Sequence, residues 1–118
     1  MANPQKRKGA KAELEVAAIL SDLLGLDARR ALGAGRLEDT GDIFGLPDTI
    51  VQVCNYIDLA RAVREKLPAS ERQRENAGAS FAATFVRRYG GGYVVMQTPL
   101  QWSCLWRDAV YGSGEKAA

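Results

Sequence analysis

The sequence predicts one α/β domain, a central mixed β-sheet flanked by helices in the order α-β-β-β-α-β-β-α. Three observations predict it. A chain of 118 residues suits one compact domain and leaves no room for two. Helical apolar spacing stands at the start, middle and end of the chain, with short β-branched or alternating runs between. Strands on both sides of the middle helix make that helix a crossover. The domain is placed at residues 1–111, followed by an expected disordered tail, GSGEKAA, at 112–118.

Taken in order, residues 1–7 are polar and basic and are expected to fray. Residues 8–24 carry a wide apolar stripe of Ala10, Leu14, Ala17, Ala18, Leu20, Leu23 and Leu24, and Gly25 ends the helix. RRALGAGRLEDTGD supplies a short strand near 28–32 and then a mobile basic loop. Residues 41–44 and 49–54 form two strands around GLPD, where Gly45, Pro47 and Asp48 are turn residues. Ile50-Val51-Gln52-Val53 is β-branched and largely apolar, which predicts a central strand.

Residues 57–67 read as a helix through Leu59, Ala62, Val63, Lys66 and Leu67. Pro68 is expected to interrupt it, and a second helical piece spans 70–77 and stops at Gly78. Residues 80–87 alternate, with Phe81, Ala83 and Phe85 on one face and Ala82, Thr84 and Val86 on the other. RYGGG is a turn, and 93–97 is another apolar strand. Pro99 opens a last helix through Trp102, Leu105, Trp106 and Ala109. There is no internal repeat.

Composition excludes several chemistries. The chain has no histidine, which removes Ser-His-Asp hydrolysis, Cys-His proteases, His-ligated zinc fingers and His-based nucleases. Any catalysis rests on carboxylates, amides, Lys or Arg, and a metal. The two cysteines, Cys54 and Cys104, have no metal-ligand spacing. With no signal peptide and no membrane-length apolar run, the default location is the reducing cytoplasm. Net charge is only +2, but the basic residues cluster. Lys6, Arg7, Lys8 and Lys11 crowd the start, Arg29, Arg30 and Arg36 bracket a Gly-rich segment, and Arg87 and Arg88 precede three glycines. Such clusters suit phosphates, and the plain alternative is solvated surface.

The candidate site begins with Glu13. Its helical neighbours at i+4, i+7 and i+11 are Ala17, Leu20 and Leu24, so it points along the core-facing stripe, while Glu15 points elsewhere with Ile19 and Asp22. An ionised acid on an apolar face costs on the order of several kcal/mol unless compensated. The compensation is a cation, an Arg partner, or escape to the stripe's edge. Asp42 falls opposite Val51 or Gln52 if the two strands pair around GLPD. In one register Asp42 and Gln52 are cross-strand neighbours, and Gln52 shares its face with Cys54. With Glu13 arriving from the helix, three oxygen donors converge, a hard-cation set suited to Mg²⁺ or Mn²⁺. The plain alternatives are turn chemistry for Asp42, an amide satisfied by the backbone for Gln52, and a small buried residue for Cys54.

These residues resemble the PD-(D/E)XK nuclease superfamily, specifically the archaeal-type Holliday junction resolvases and their phage-encoded relatives. RKGAKAELEV is similar to the family's opening, a basic-Gly segment and a helix whose acid, Glu13, stands four residues after the glycine. GDIFGLPDTIVQV is similar to the family's hairpin, with Asp42 at the metal-binding acid, Gln52 at the second acid and Cys54 at the lysine. ERQRENAGASFAATFVRR and GGGYVVM are similar to its later helix and strands. The likeness runs from Arg7 to about Val110.

The resemblance implies a restriction-endonuclease-like fold and a homodimer with two active sites, each cutting one strand of a four-way DNA junction. It also implies Mg²⁺-dependent phosphodiester hydrolysis with Glu13, Asp42 and Gln52 as metal ligands. Two departures stand out. The Gln52 amide brings no negative charge, and the Cys54 thiol supplies no stable positive charge. Losing one such electrostatic group costs about 10²–10³ in rate. Lys66, Arg30 and Arg36 are candidate replacements, and Gln73 is a candidate supporting residue. Lys6, Arg7, Lys8, Lys11, Arg30 and Arg36 are the candidate DNA contacts, reading shape rather than sequence. Three readings follow: a junction-resolving endonuclease, a junction binder that has lost cleavage, and a small interaction protein without nucleic acid.

Overall fold

A computed structural model describes residues 4–31, 41–55 and 58–112, with side chains from Gly9 onward. It has the element order α1 (Pro4–Leu24), β1 (Arg29–Arg30), β2 (Ile43–Phe44), β3 (Thr49–Cys54), α2 (Leu59–Ala77), β4 (Phe81–Arg87), β5 (Tyr93–Met96) and α3 (Pro99–Tyr111). The strands form one mixed five-stranded sheet in the order β1-β2-β3-β4-β5, so β3 is central as its composition predicts. β1, β2 and β3 pair antiparallel, β3 and β4 are parallel, and β5 returns antiparallel to β4. The parallel pair requires a crossover, and α2 provides it. Among the described residues, no helix is long and apolar enough to cross a membrane.

Two expectations about helices are corrected. α1 begins at Pro4, earlier than residue 8, so Lys6, Arg7 and Lys8 lie in its first turns rather than in a frayed arm. Proline suits a first helical position, and the polar first turn carries no apolar marker from which to read a start. α2 is one helix that runs through Pro68, not two pieces. Its buried residues Ala62, Ser70 and Gln73 lie on both sides of the proline and face the sheet, and this packing outweighs the one backbone bond that Pro68 removes. The ends of α2 are well closed. Asp58 caps the start by accepting the Arg61 N–H at 3.2 Å. Gly78, at φ +67°, ends it with Gly78 and Ala79 N–H donating to the carbonyls of Glu75 and Arg74.

The sheet separates two apolar clusters. On one face α1 contributes Ala12, Val16, Ala17 and Leu20 against Ala28, Ile43, Val51 and Val53, with Leu46, Phe85 and Tyr93 at the margin. On the other, Ala62 of α2 meets Cys54 and Val86, with Val94 and Met96 beside them. β3 is therefore buried on both sides from Ile50 to Cys54. The turn between β2 and β3 is locked by Gly45 at φ +108°, where a Cβ would stand 2.5 Å from the Asp27 carbonyl. The strand β2 is shorter than the predicted 41–44, and β1 shorter than 28–32. The predicted basic loop at 32–40, with Arg36, and the tail from 113 lie outside the described residues.

Candidate functional site at the β2–β3 junction

Asp42 is built into the sheet through its backbone and its side chain. Its carbonyl accepts the Ala31 N–H at 2.7 Å, and its N–H donates to the Val51 carbonyl at 2.8 Å. Its carboxylate Oδ2 accepts the Val53 N–H at 2.8 Å. Ile43 is the register partner of Val51, so Asp42 and Ile43 both address one residue of β3, the two-against-one pattern of a β-bulge. The carboxylate takes the place a backbone carbonyl would fill, in a charge-assisted bond. Its two bonds to β3, at Val51 and Val53, bracket Gln52. Of the two registers open to the sequence, this is the one that sets Asp42 beside Gln52.

Gln52 points the other way from its neighbours. Val51 and Val53 belong to the α1 cluster, so alternation turns Gln52 and Cys54 toward α2. Gln52 is 6% exposed, and its register partner on β4 is Thr84, fully buried. Ser70 of α2 is 1% exposed on the same side. Gln52 Oε1, Thr84 Oγ1 and Ser70 Oγ are buried oxygens with no hydrogen-bond partner among the described residues. Each such atom costs about 1–3 kcal/mol if nothing engages it. Buried oxygens without a protein partner call for an explanation, which an ordered water, an ion or a polar ligand would each supply. Neither Ser70 nor Thr84 is a residue the sequence singled out. The signal available was the burial of the Ala82-Thr84-Val86 face and the eight-residue step from Ala62 to Ser70.

The level of Lys66 on α2 follows from the topology. Because β4 is parallel to β3, α2 must run back along β3 from its C-terminal end. Contact among Cys54, Ala62 and Val86 fixes the level of Ala62. Moving two residues back along β3 to Gln52 is about 6.6 Å, which α2 covers in about four residues. That residue is Lys66, half-buried and on the helix face of Ala62, Ser70 and Gln73. Both supporting candidates, Lys66 and Gln73, thus lie on the sheet-facing side of α2.

Glu13 is engaged differently from the cation-binding expectation. Its Oε1 accepts from Arg30 Nε at 2.5 Å, with side chains 19% and 32% exposed. Of the compensations open to an acid on an apolar stripe, the fold uses an Arg partner. Arg30, expected to clamp DNA, is here drawn to Glu13. β1 sets Arg30 opposite Ile43, one residue from Asp42, so the ion pair borders the site without contributing a spare carboxylate. Glu15 is also turned inward, contrary to expectation: its Oε1 accepts the Tyr93 hydroxyl at 2.6 Å. Burial, then the Glu15 bond and charge, push the Tyr93 hydroxyl well above the usual tyrosine range.

Cys54 packs with Ala62 and Val86, the small buried residue of the plain alternative. Lys11 is exposed on α1. Among the described residues, no three acidic or cysteine side chains gather as a metal-binding group. The register sets Asp42 and Gln52, two residues with oxygen donors, at facing positions across the β2–β3 hairpin. No family model, curated protein or solved structure matches this chain.

Proposed function

We propose that the chain is a structure-specific DNA endonuclease of the PD-(D/E)XK kind, acting on branched DNA such as four-way junctions with Mg²⁺ or Mn²⁺. The observation that carries the reading is the bracketing of Gln52 by Asp42, which bonds a carboxylate-bearing residue to the backbone on either side of a residue whose buried amide oxygen has no hydrogen-bond partner among the described residues. These hard oxygen donors fit a cation that keeps most of its waters, as Mg²⁺ does. Asp42 and Gln52 would hold it. When bound, such a cation lowers the pKa of water and steadies charge on the phosphate and the leaving oxygen.

The chain's own residues do the rest. Lys66, at the level of Gln52, supplies positive charge in place of the lysine that Cys54 replaces. Glu13 holds Arg30 on the edge strand β1, opposite Ile43, and this pair keeps β1 and the bulge at Asp42 in place. Lys11, with Lys6, Arg7 and Lys8 in the same turns of α1, meets the phosphate backbone. Binding then weakens steeply with salt. Two copies present two sites, one for each strand.

A second reading, a junction binder without cleavage, has its own support: Glu13 is neutralised by Arg30, and Cys54 is packed as a core residue. Cleavage of a labelled four-way junction with Mg²⁺ or Mn²⁺ decides between them. Wild type is expected to nick opposing strands, and Asp42→Asn to lose cleavage while retaining binding. Asn keeps an oxygen for the Val53 N–H, so the hairpin survives. Lys66→Met is expected to lower the rate by about 10²–10³ with little change in binding. Tight binding without cleavage by wild type in either metal leaves the second reading; a chain that binds no junction sinks both.

A further inference from the structure

The turn between β4 and β5 carries side chains that the fold does not use. The Arg88 carbonyl accepts the Gly91 N–H at 3.1 Å, and the Arg88 N–H donates to the Gly92 carbonyl at 2.9 Å. Tyr89 and Gly90 are therefore the corner residues, and Gly90, at φ +91°, supplies the positive φ of a type II turn. Nothing in this geometry calls for an aromatic at the first corner, where proline is favoured. Tyr89 is 86% exposed, the most exposed large apolar side chain among the described residues. It follows Arg87 and Arg88, and neither makes an ion pair or a side-chain hydrogen bond among the described residues. No acid lies between Arg87 and Tyr93. A Cβ added to Gly90, Gly91 or Gly92 would meet nothing within 4 Å, so the turn stands clear in solvent.

The register puts this turn at the same end of the sheet as Asp42. β3 and β4 run parallel with Val53 beside Phe85, and the Asp42 carboxylate accepts the Val53 N–H. Arg87 lies past Phe85 by about 6.6 Å along β4, and β4 and Asp42 flank β3 at about 9.6 Å from each other. The two backbones are thus roughly 12 Å apart, about three or four nucleotides along a DNA strand. The start of α1 lies at this end too. Tyr93, the register partner of Arg87, donates its hydroxyl to Glu15 at 2.6 Å and lies 3.5 Å from the Ala12 carbonyl, beside the exposed Lys11.

We propose that Tyr89 stacks on an unstacked nucleobase at a DNA branch point while Arg87 and Arg88 hold the flanking phosphates. This role rests on the DNA-binding reading above and gives the chain a means to tell a branch from a plain duplex. Phosphates are common to both and carry no such information. The base faces of a duplex are covered by their neighbours, whereas a branch point uncovers them, and every base has a face on which an aromatic can stack. Tyrosine suits the task because its ring is large and rigid and loses little freedom on docking. A lipid surface fits less well, because interfacial anchoring needs a broader apolar face than one ring.

The test is binding of the full chain to a labelled four-way junction and to a linear duplex of the same sequence, both in EDTA so that nothing is cut. Tyr89→Ala is expected to weaken junction binding by about 5–150-fold and to leave duplex binding unchanged, while Tyr89→Phe, which keeps the ring, binds like wild type. Arg88→Gln is expected to weaken binding to both and to reduce the slope of log affinity against log salt by about one. An unchanged slope overturns the phosphate contact. Junction binding that Tyr89→Ala leaves intact, or weakens no more than duplex binding, overturns the role of the ring and leaves the nuclease reading standing. A wild type that binds neither DNA overturns both. Binding to phosphatidylserine vesicles instead of DNA, lost in Tyr89→Ala, would overturn it in favour of a membrane surface.

Discussion

The two faces of the central sheet are built on different principles. The α1 face is apolar and complete: Ala12, Val16, Ala17 and Leu20 meet Ile43, Val51 and Val53. The acids at its margin are answered, Glu13 by Arg30 and Glu15 by Tyr93. The α2 face is apolar only at one end, around Cys54, Ala62 and Val86. Along the rest, Gln52, Ser70, Gln73 and Thr84 are buried polar residues. An apolar set of the same shape would stabilise that face more, because the Gln52, Ser70 and Thr84 oxygens have no partner among the described residues and each costs free energy. The difference teaches that the α1 face is closed by apolar packing, while the α2 face carries polar groups whose partners the described residues do not supply.

Truncation on the α1 face is the strongest stability test of that contrast. Val51, 1% exposed, loses two methyls in Val51→Ala and leaves a cavity in the α1 cluster. The expected loss is about 2–3 kcal/mol, read from the urea midpoint at constant slope. A loss under about 0.5 kcal/mol would mean that this face collapses readily and is not the rigid one. On the α2 face the expectation reverses. Thr84→Val keeps the shape and removes a hydroxyl without a partner, so stability should stay within about 1 kcal/mol of wild type or rise. A loss above about 2 kcal/mol would show that the hydroxyl is satisfied, and the two faces would then be alike.

The smallest effect concerns pH. Burial, and then Glu15, raise the Tyr93 hydroxyl, so folding favours its protonated form. That contribution is fully present below the ordinary tyrosine value of about 10 and is lost as pH rises through the raised one. Glu15→Gln should move the Tyr93 step in phenolate absorbance back toward the ordinary range. An unmoved step would assign the shift to burial alone.

The legible part of this protein was the part written in local patterns. Alternation at Ala82-Thr84-Val86, the β-branched run at Ile50–Val53 and the glycine at residue 78 are each properties of a few consecutive residues, and the element order followed from them. Pro68 misled because its local effect is to stop a helix, while the decision lay in a buried face that spans it. Glu13 shows the same limit at the site. Its place on an apolar stripe was readable, but its partner is Arg30, seventeen residues away on another element. α3 reverses the usual inference from composition: Trp102 and Trp106 read equally well as core or interface, and the structure leaves them outside because Gln101 makes the attachment.

By itself, the sequence determined the α/β class, the central position of β3 and the hairpin around GLPD that brings Asp42 next to the strand carrying Gln52. Hydrophobic periodicity and turn chemistry act over a few residues and are therefore visible in one dimension. Only the tertiary structure decided which register brackets Gln52 with Asp42, which charge meets Glu13 and which face of α3 is left uncovered. Each of these depends on the distance between elements far apart in the chain, set by packing that no local pattern encodes.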